Sequence, residues 1–295
     1  MTYEYLWDSE DEEHEPENWY RICNNDPTVT RLALSLSPTL TPSFYKNIAT
    51  ALQHNSNITH LDIDGANFIK FIPNDVSDPI FESSKYIETL ELSADSYYVY
   101  EEKLAIHDDV FSALIKSKKT KITKLIIECD DLMEPLARFL SAANSIKELH
   151  LSRRGYYEYN SAAPFIPVLE AIQNGSSLES LHITARPLFP HDYNLKLITS
   201  LENFLVNNKT LKKLRLTITT RMDLQDLKKF TMMIQKASSL ESFQFYTEIG
   251  CSSLKQERDE IKKWFSKISN KFVLNMSHDV LCIEAHGSKK SDPNA

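Results

Sequence analysis

Three groupings of side chains in this 295-residue sequence are of types that carry chemistry. His278 and Asp279 stand close before Cys282, which suggests a Cys–His pair able to supply a nucleophile. Cys282, however, sits in the run VLCIEA, where a small buried thiol is the expected state. His150 and His182 occupy equivalent places in two similar heptads, IKELHLS and LESLHIT, and two imidazoles on neighbouring strands could begin a metal site. No third ligand of matching position accompanies them, so no metal is expected. The stretch SRRGYYEYN, Ser152 to Asn160, gathers two arginines and three tyrosines in nine residues. Arg and Tyr are the types enriched where proteins grip one another. The chemistry on offer is therefore recognition. The sequence has no GxSxG, HExxH, GxxxxGK[ST] or GxGxxG pattern, and neither an enzyme activity nor a cofactor is expected.

Composition narrows the partner. The formal net charge is -8, which argues against nucleic acid, because phosphate binding needs clustered Lys and Arg. Only 5 glycines are present, little material for phosphate-cradling loops. The four cysteines, Cys23, Cys129, Cys251 and Cys282, form no CxxC pair, so free thiols in a reducing compartment are expected. Sequons begin at Asn57, Asn208 and Asn275, but the opening MTYEYLWDSEDEEHE has no basic n-region or apolar h-region. No apolar run of membrane-spanning length occurs. A cytoplasmic, monomeric protein away from membranes is expected.

The elements that would position these residues emerge from self-similarity. The heptad φxxφxφx, with φ apolar, recurs as VTRLALS (29–35), ITHLDID (58–64), IETLELS (87–93), ITKLIIE (122–128), IKELHLS (146–152), LESLHIT (178–184), LKKLRLT (211–217) and LESFQFY (240–246). Its second apolar residue falls at 32, 61, 90, 125, 149, 181, 214 and 243, giving spacings of 29, 29, 35, 24, 32, 33 and 29. The segments before several heptads, such as FYKNIATALQHNSN and LITSLENFLVNNKT, have apolar residues at helical spacing and end in Asn, Ser or Thr.

This helix-then-strand unit resembles the leucine-rich repeat, specifically the ribonuclease-inhibitor type, over residues 29–250. The resemblance implies an α/β fold: a right-handed solenoid or horseshoe with parallel strands on the concave face and helices on the convex face. It implies one cooperative array of eight strand units over 29–250, after an acidic N-terminal segment or cap at 1–28. A C-terminal helix and strand cap would occupy 251–286, with a disordered tail at 287–295. The first 20 residues hold eight acids and no Lys or Arg and read as an acidic segment whose aromatics dock on the first repeat. Two strands within 271–285 would cover the sheet edge. The family's Asn or Cys just beyond each strand is replaced here, for example by Ala66, Asp95 and Arg154, so irregular turns are expected.

SRRGYYEYN then becomes the loop leaving the fifth strand. Loops after the third and sixth strands bring Tyr97, Tyr98 and Tyr100, and Phe189, His191 and Tyr193. In a solenoid such loops project from one rim. Strand side chains alternate, so the residue between the paired apolar positions faces solvent. Asp62 and Glu91, with Asp64 in the next column, would make an acidic patch. His150, His182, Lys213 and Arg215 would make a basic one. The expected partner-binding set is Asp62, Asp64, Glu91, Tyr97, Tyr98, Tyr100, His150, Arg153, Arg154, Tyr156, Tyr157, Tyr159, His182, Phe189 and Arg215. The resemblance implies a folded protein partner, such as an enzyme whose active site is covered. The chain also resembles stand-alone leucine-rich-repeat effectors that intracellular bacteria translocate into host cells. An adaptor recruiting a partner to a machine such as a ubiquitin ligase is the alternative.

Overall fold

The computed structural model describes residues 2–6, 20–35, 42–64, 80, 85–93, 111, 114, 121–128, 133–152, 165–173, 177–185, 191–218, 224–237, 239–248, 259–260, 263, 272–276 and 280–286. The chain divides into two compact units, Met1–Lys147 and Glu148–Ala295. In each, parallel strands alternate with helices, and the second unit adds two antiparallel strands.

In the first unit the strands are β1 (Thr2–Leu6), β2 (Val29–Ser35), β3 (His60–Asp64), β4 (Thr89–Ser93) and β5 (Lys124–Glu128). They lie side by side in chain order and all neighbours are parallel. The heptad dictates this register. Leu32, Leu61, Leu90 and Leu125 stand in one lateral row and none is more than 1% exposed. Leu34, Ile63, Leu92 and Ile127 form the second buried row. Val29, Ile58, Ile87 and Ile122 enter the core just before the strands. Among the described residues, helices α1 (Pro42–His54) and α2 (Met133–Ala142) contribute to its other wall. Helix α1 buries Ile48, Ala49, Ala51 and Leu52, and α2 buries Met133, Leu136, Ala137, Phe139 and Leu140. Both sets recur at helical spacing, so each helix packs one stripe inward.

The strand β1 lies in the segment read from sequence as an acidic cap. TYEYL is rich in strand-favouring residues but lacks the φxxφxφx form, so a search on the heptad passes over it.

The second unit opens with the parallel strands β6 (Glu148–Ser152), β7 (Ser180–Ala185), β8 (Lys213–Ile218) and β9 (Ser242–Glu248). Two further strands extend the sheet. β11 (Val280–His286) pairs antiparallel with β9, and β10 (Phe272–Met276) antiparallel with β11. Its described helices include α3 (Ile166–Ile172), α4 (His191–Asn207) and α5 (Leu224–Lys236). Buried rows again repeat: Leu149, Leu181, Leu214 and Phe243, then Leu151, Ile183, Leu216 and Phe245. Phe230 of α5 meets the two strand phenylalanines, with ring centroids 5.6 Å from Phe243 and 4.5 Å from Phe245. Pro167 falls in the first turn of α3, where the missing N–H costs no helical bond.

Buried asparagines organise the entry to two strands. Asn55 Oδ1 accepts from the backbone N–H of Asn57 and Ile58, and its Nδ2 donates to the Ile22 carbonyl. Asn208 does the same one unit later: it accepts from Thr210 and Leu211 N–H and donates to the Ile172 carbonyl. Each sits three residues before the first apolar position of its heptad. The family's asparagine was sought after the strand; these stand before it. Asn208 is 3% exposed and its amide is occupied, so its sequon is closed to a glycan in the folded protein. Among the described residues, no helix is long and apolar enough to cross a membrane.

Candidate functional site

The buried rows leave the alternate positions of each strand on the solvent side. In the first unit the register sets Arg31, His60, Thr89 and Lys124 in one lateral row and Ala33, Asp62, Glu91 and Ile126 in the next. Asp64 and Ser35 share a third row, which continues through Ser93 and Glu128.

Asp62 and Glu91 are direct lateral neighbours, as the alternation predicts. They do not form a bare acidic patch. Arg31 reaches diagonally from β2, and its Nη2 donates to Asp62 Oδ2 at 2.6 Å and to Glu91 Oε2 at 3.1 Å. His60 Nε2 lies 3.3 Å from the same Glu91 oxygen. One guanidinium nitrogen thus serves two carboxylates from two strands. The three charged side chains are about one-fifth exposed, at 23%, 18% and 17% for Arg31, Asp62 and Glu91. This partial burial pushes the Asp62 carboxyl above its ordinary value; the Arg31 hydrogen bond pulls the other way, and the neighbouring Glu91 charge pushes up again. Desolvation wins, as it does when charges leave water without full repayment. Asp64 is exposed and accepts from the Ser93 hydroxyl at 2.9 Å.

In the second unit His150, His182, Arg215 and Gln244 form one row, with Ser152, Thr184, Thr217 and Tyr246 beside it. The two imidazoles meet edge to face, 5.1 Å between centroids. Their Nε2 atoms are engaged along their own strands: His150 with Glu148 Oε1 at 2.8 Å, His182 with the Thr184 hydroxyl at 3.3 Å. Arg215 is exposed and lies over the Tyr246 ring, 5.4 Å from its centroid, a cation–π contact. No group of three or more His, Cys, Asp or Glu is placed to hold a metal ion among the described residues. The register sets Cys282 opposite Tyr246 and Ile283 opposite buried Phe245.

The loop residues Tyr97, Tyr98, Tyr100, Arg153, Arg154, Tyr156, Tyr157, Tyr159 and Phe189 lie outside the described residues. Sequence reasoning missed Arg31 as part of the acidic group. Its only signal was a cation one row away from a carboxylate on the neighbouring strand.

No protein-family model matches the sequence, and no curated protein does. Among solved structures, the tropomodulin C-terminal domain of Caenorhabditis elegans is 8% identical over 74% of this chain and 90% of that one, with a TM-score of 0.23. Leiomodin-1 actin-binding site 2 is 14% identical over 84% of this chain and 94% of that one, also at 0.23. A TM-score at that level carries neither fold nor function across to this chain.

Proposed function

We propose that the chain is a non-catalytic module that binds a folded protein partner through the solvent-side rows of its strands and the Tyr- and Arg-rich loops that follow them. The observation that supports this most is the Arg31–Asp62–Glu91 cluster, in which three strands hold charged groups in a fixed, hydrogen-bonded arrangement. Pre-ordered polar groups on a rigid sheet lose little entropy when a partner docks. The cluster has two carboxylates and one guanidinium. A partner covering it would strip the remaining water from the two carboxylates, and a cation on the partner compensates that loss. A basic patch on the partner supplies one. In the finer form of the proposal the module is a leucine-rich-repeat horseshoe, and the partner is an enzyme whose active site it covers.

The test begins with photo-crosslinking from position 244, on the solvent-side row of β9, and identification of the captured protein. Binding of that purified protein is then measured for Glu91→Ala, Arg154→Ala, Tyr98→Ala and Tyr157→Ala beside Lys229→Ala on α5. A true contact should cost about 2 kcal/mol, roughly thirtyfold in affinity, with thermal stability unchanged for the loop variants. Equal binding by all five refutes the proposal. If the partner is an enzyme, its turnover with and without the chain tests the inhibitory form.

A further inference from the structure

On β8 of the second unit two exposed cations, Lys213 and Arg215, stand two residues apart on the solvent side. No acid takes a register position beside either. Lys213 lies between Ser180 of β7 and Ser242 of β9, and Arg215 between His182 and Gln244. The acids that register brings closest laterally, Glu148 of β6 and Glu284 of β11, stand two strands away, about 9.6 Å. Glu148 Oε1 is itself held by His150 at 2.8 Å. Two other cations show the contrast. Arg31 bonds two carboxylates, and Lys212 Nζ lies 2.7 Å from Glu179 Oε2. Arg215 instead lies over the Tyr246 ring, 5.4 Å from its centroid, which orders the guanidinium without neutralising it. The face of β8 thus presents positive charge at a spacing that the strand fixes.

We propose that this face takes a segment of the partner that carries carboxylates two residues apart, so that β8 reads an acid-x-acid pattern. The inference rests on the protein-binding role proposed above and names the chemistry of the partner at the second unit. Alternate residues of a strand lie about 6.6–6.8 Å apart, and so do alternate residues of an extended segment laid along β8. One carboxylate then meets Arg215, whose planar fork matches both oxygens. The next meets Lys213 as a point charge, with the Ser180 and Ser242 hydroxyls on either side as hydrogen-bond donors. Charge selects the class of partner. The formal net charge of -8 disfavours a nucleic-acid backbone, while the local cations complement an acidic protein segment.

The test uses the full chain and a labelled peptide, SESESES, beside SSEEESS, which has the same composition and charge at another spacing. SESESES should bind more tightly than SSEEESS, and added salt should weaken it. The double variant Lys213→Thr, Arg215→Thr keeps strand-favouring residues at exposed positions. It should bind SESESES about tenfold more weakly than the unaltered chain, the joint effect of two exposed ion pairs, with thermal unfolding unchanged. Lys229→Ala on α5 should bind as the unaltered chain does. Equal affinity of the double variant and the unaltered chain, or equal affinity for the two peptides, overturns the inference. Tighter binding of a peptide with one phosphoserine and no glutamate would assign the face to phosphate and overturn the carboxylate reading. The protein captured from position 244 separates this inference from the reading beneath it. If its binding weakens with Glu91→Ala but not with the double variant, this inference alone fails. If its binding weakens with neither Glu91→Ala nor the loop variants while the two peptides separate as expected, the proposed function fails and the acid-x-acid preference stands.

Discussion

Replacing Arg31 by methionine keeps the aliphatic stem and removes the guanidinium. Asp62 Oδ2 and Glu91 Oε2 both bond one nitrogen of that group, at 2.6 and 3.1 Å, so they lie within about 6 Å of each other. At an effective dielectric of about 20, two unit charges at that distance repel by about 3 kcal/mol. The side chains keep about one-fifth of their exposure, and protonation offers an escape, so the expected loss is about 1–3 kcal/mol near neutral pH. The sign with pH follows from Asp62. Its carboxyl is already raised in the folded state, chiefly by burial. A raised acid contributes stability below its unfolded value, about 3.9, and that contribution is lost as pH rises through the folded value. Without Arg31 the folded value rises further. The deficit of Arg31→Met relative to the unaltered chain should therefore be small at pH 4 and grow towards pH 7.5. Urea unfolding at both pH values measures it, and Asp62→Asn in the Arg31→Met background should recover most of the loss at pH 7.5. A deficit that is the same at both pH values and is not relieved by Asp62→Asn would refute the account of the cluster as two carboxylates held together by one guanidinium.

Leu149→Ala should cost about 2–5 kcal/mol in urea unfolding, because Leu149 is fully buried and its loss leaves a cavity. Asn208→Ala should cost about 2–4 kcal/mol, since it strands two backbone N–H groups, of Thr210 and Leu211, that Asn208 now satisfies. The Asp26 carboxyl, held by the Arg21 side chain and by the Thr28 hydroxyl and N–H, should titrate at about 2 in the folded protein by carboxyl NMR. Its depressed value makes its contribution present above the unfolded value and lost as pH falls through about 2. The triple change Arg31→Val, Asp62→Thr, Glu91→Val should leave stability equal or higher by thermal unfolding while abolishing partner binding.

The heptad made the strand rows legible because one period fixes both burial and register. Once Leu32 and Leu61 are aligned, Asp62 must neighbour Ala33 and Glu91, and the structure has them there. Lateral reach was not legible. Arg31 belongs to a different row from both of its acceptors, and only the length and direction of its side chain bring the three together. The entry asparagines escaped for another reason. Asn55 and Asn208 carry a visible signal, Asn three residues before an apolar heptad position, but at only two of the eight heptads. β1 escaped because an edge strand needs backbone partners more than it needs a pattern, and Glu4 breaks the pattern that β2 to β9 obey.

The composition of the solvent-side rows bears on why charges stand there at all. Three parallel strands already joined by their ladders and two leucine-rich rows gain little from a half-buried ion cluster, because desolvation offsets most of its Coulomb energy. The upward shift of Asp62 beside its own guanidinium is the direct sign of that balance. β-branched residues at the same positions would serve cross-strand packing at least as well. What the cluster adds is fixed direction: Arg31 turned onto two carboxylates, His60 against the second, and the Ser93 hydroxyl on Asp64. Such an arrangement contributes little to folding and, in the proposed role, discriminates between docked surfaces, since only a partner with a matching cation compensates the water the carboxylates lose. That asymmetry between stability and selectivity is the physical ground on which the proposed binding role rests.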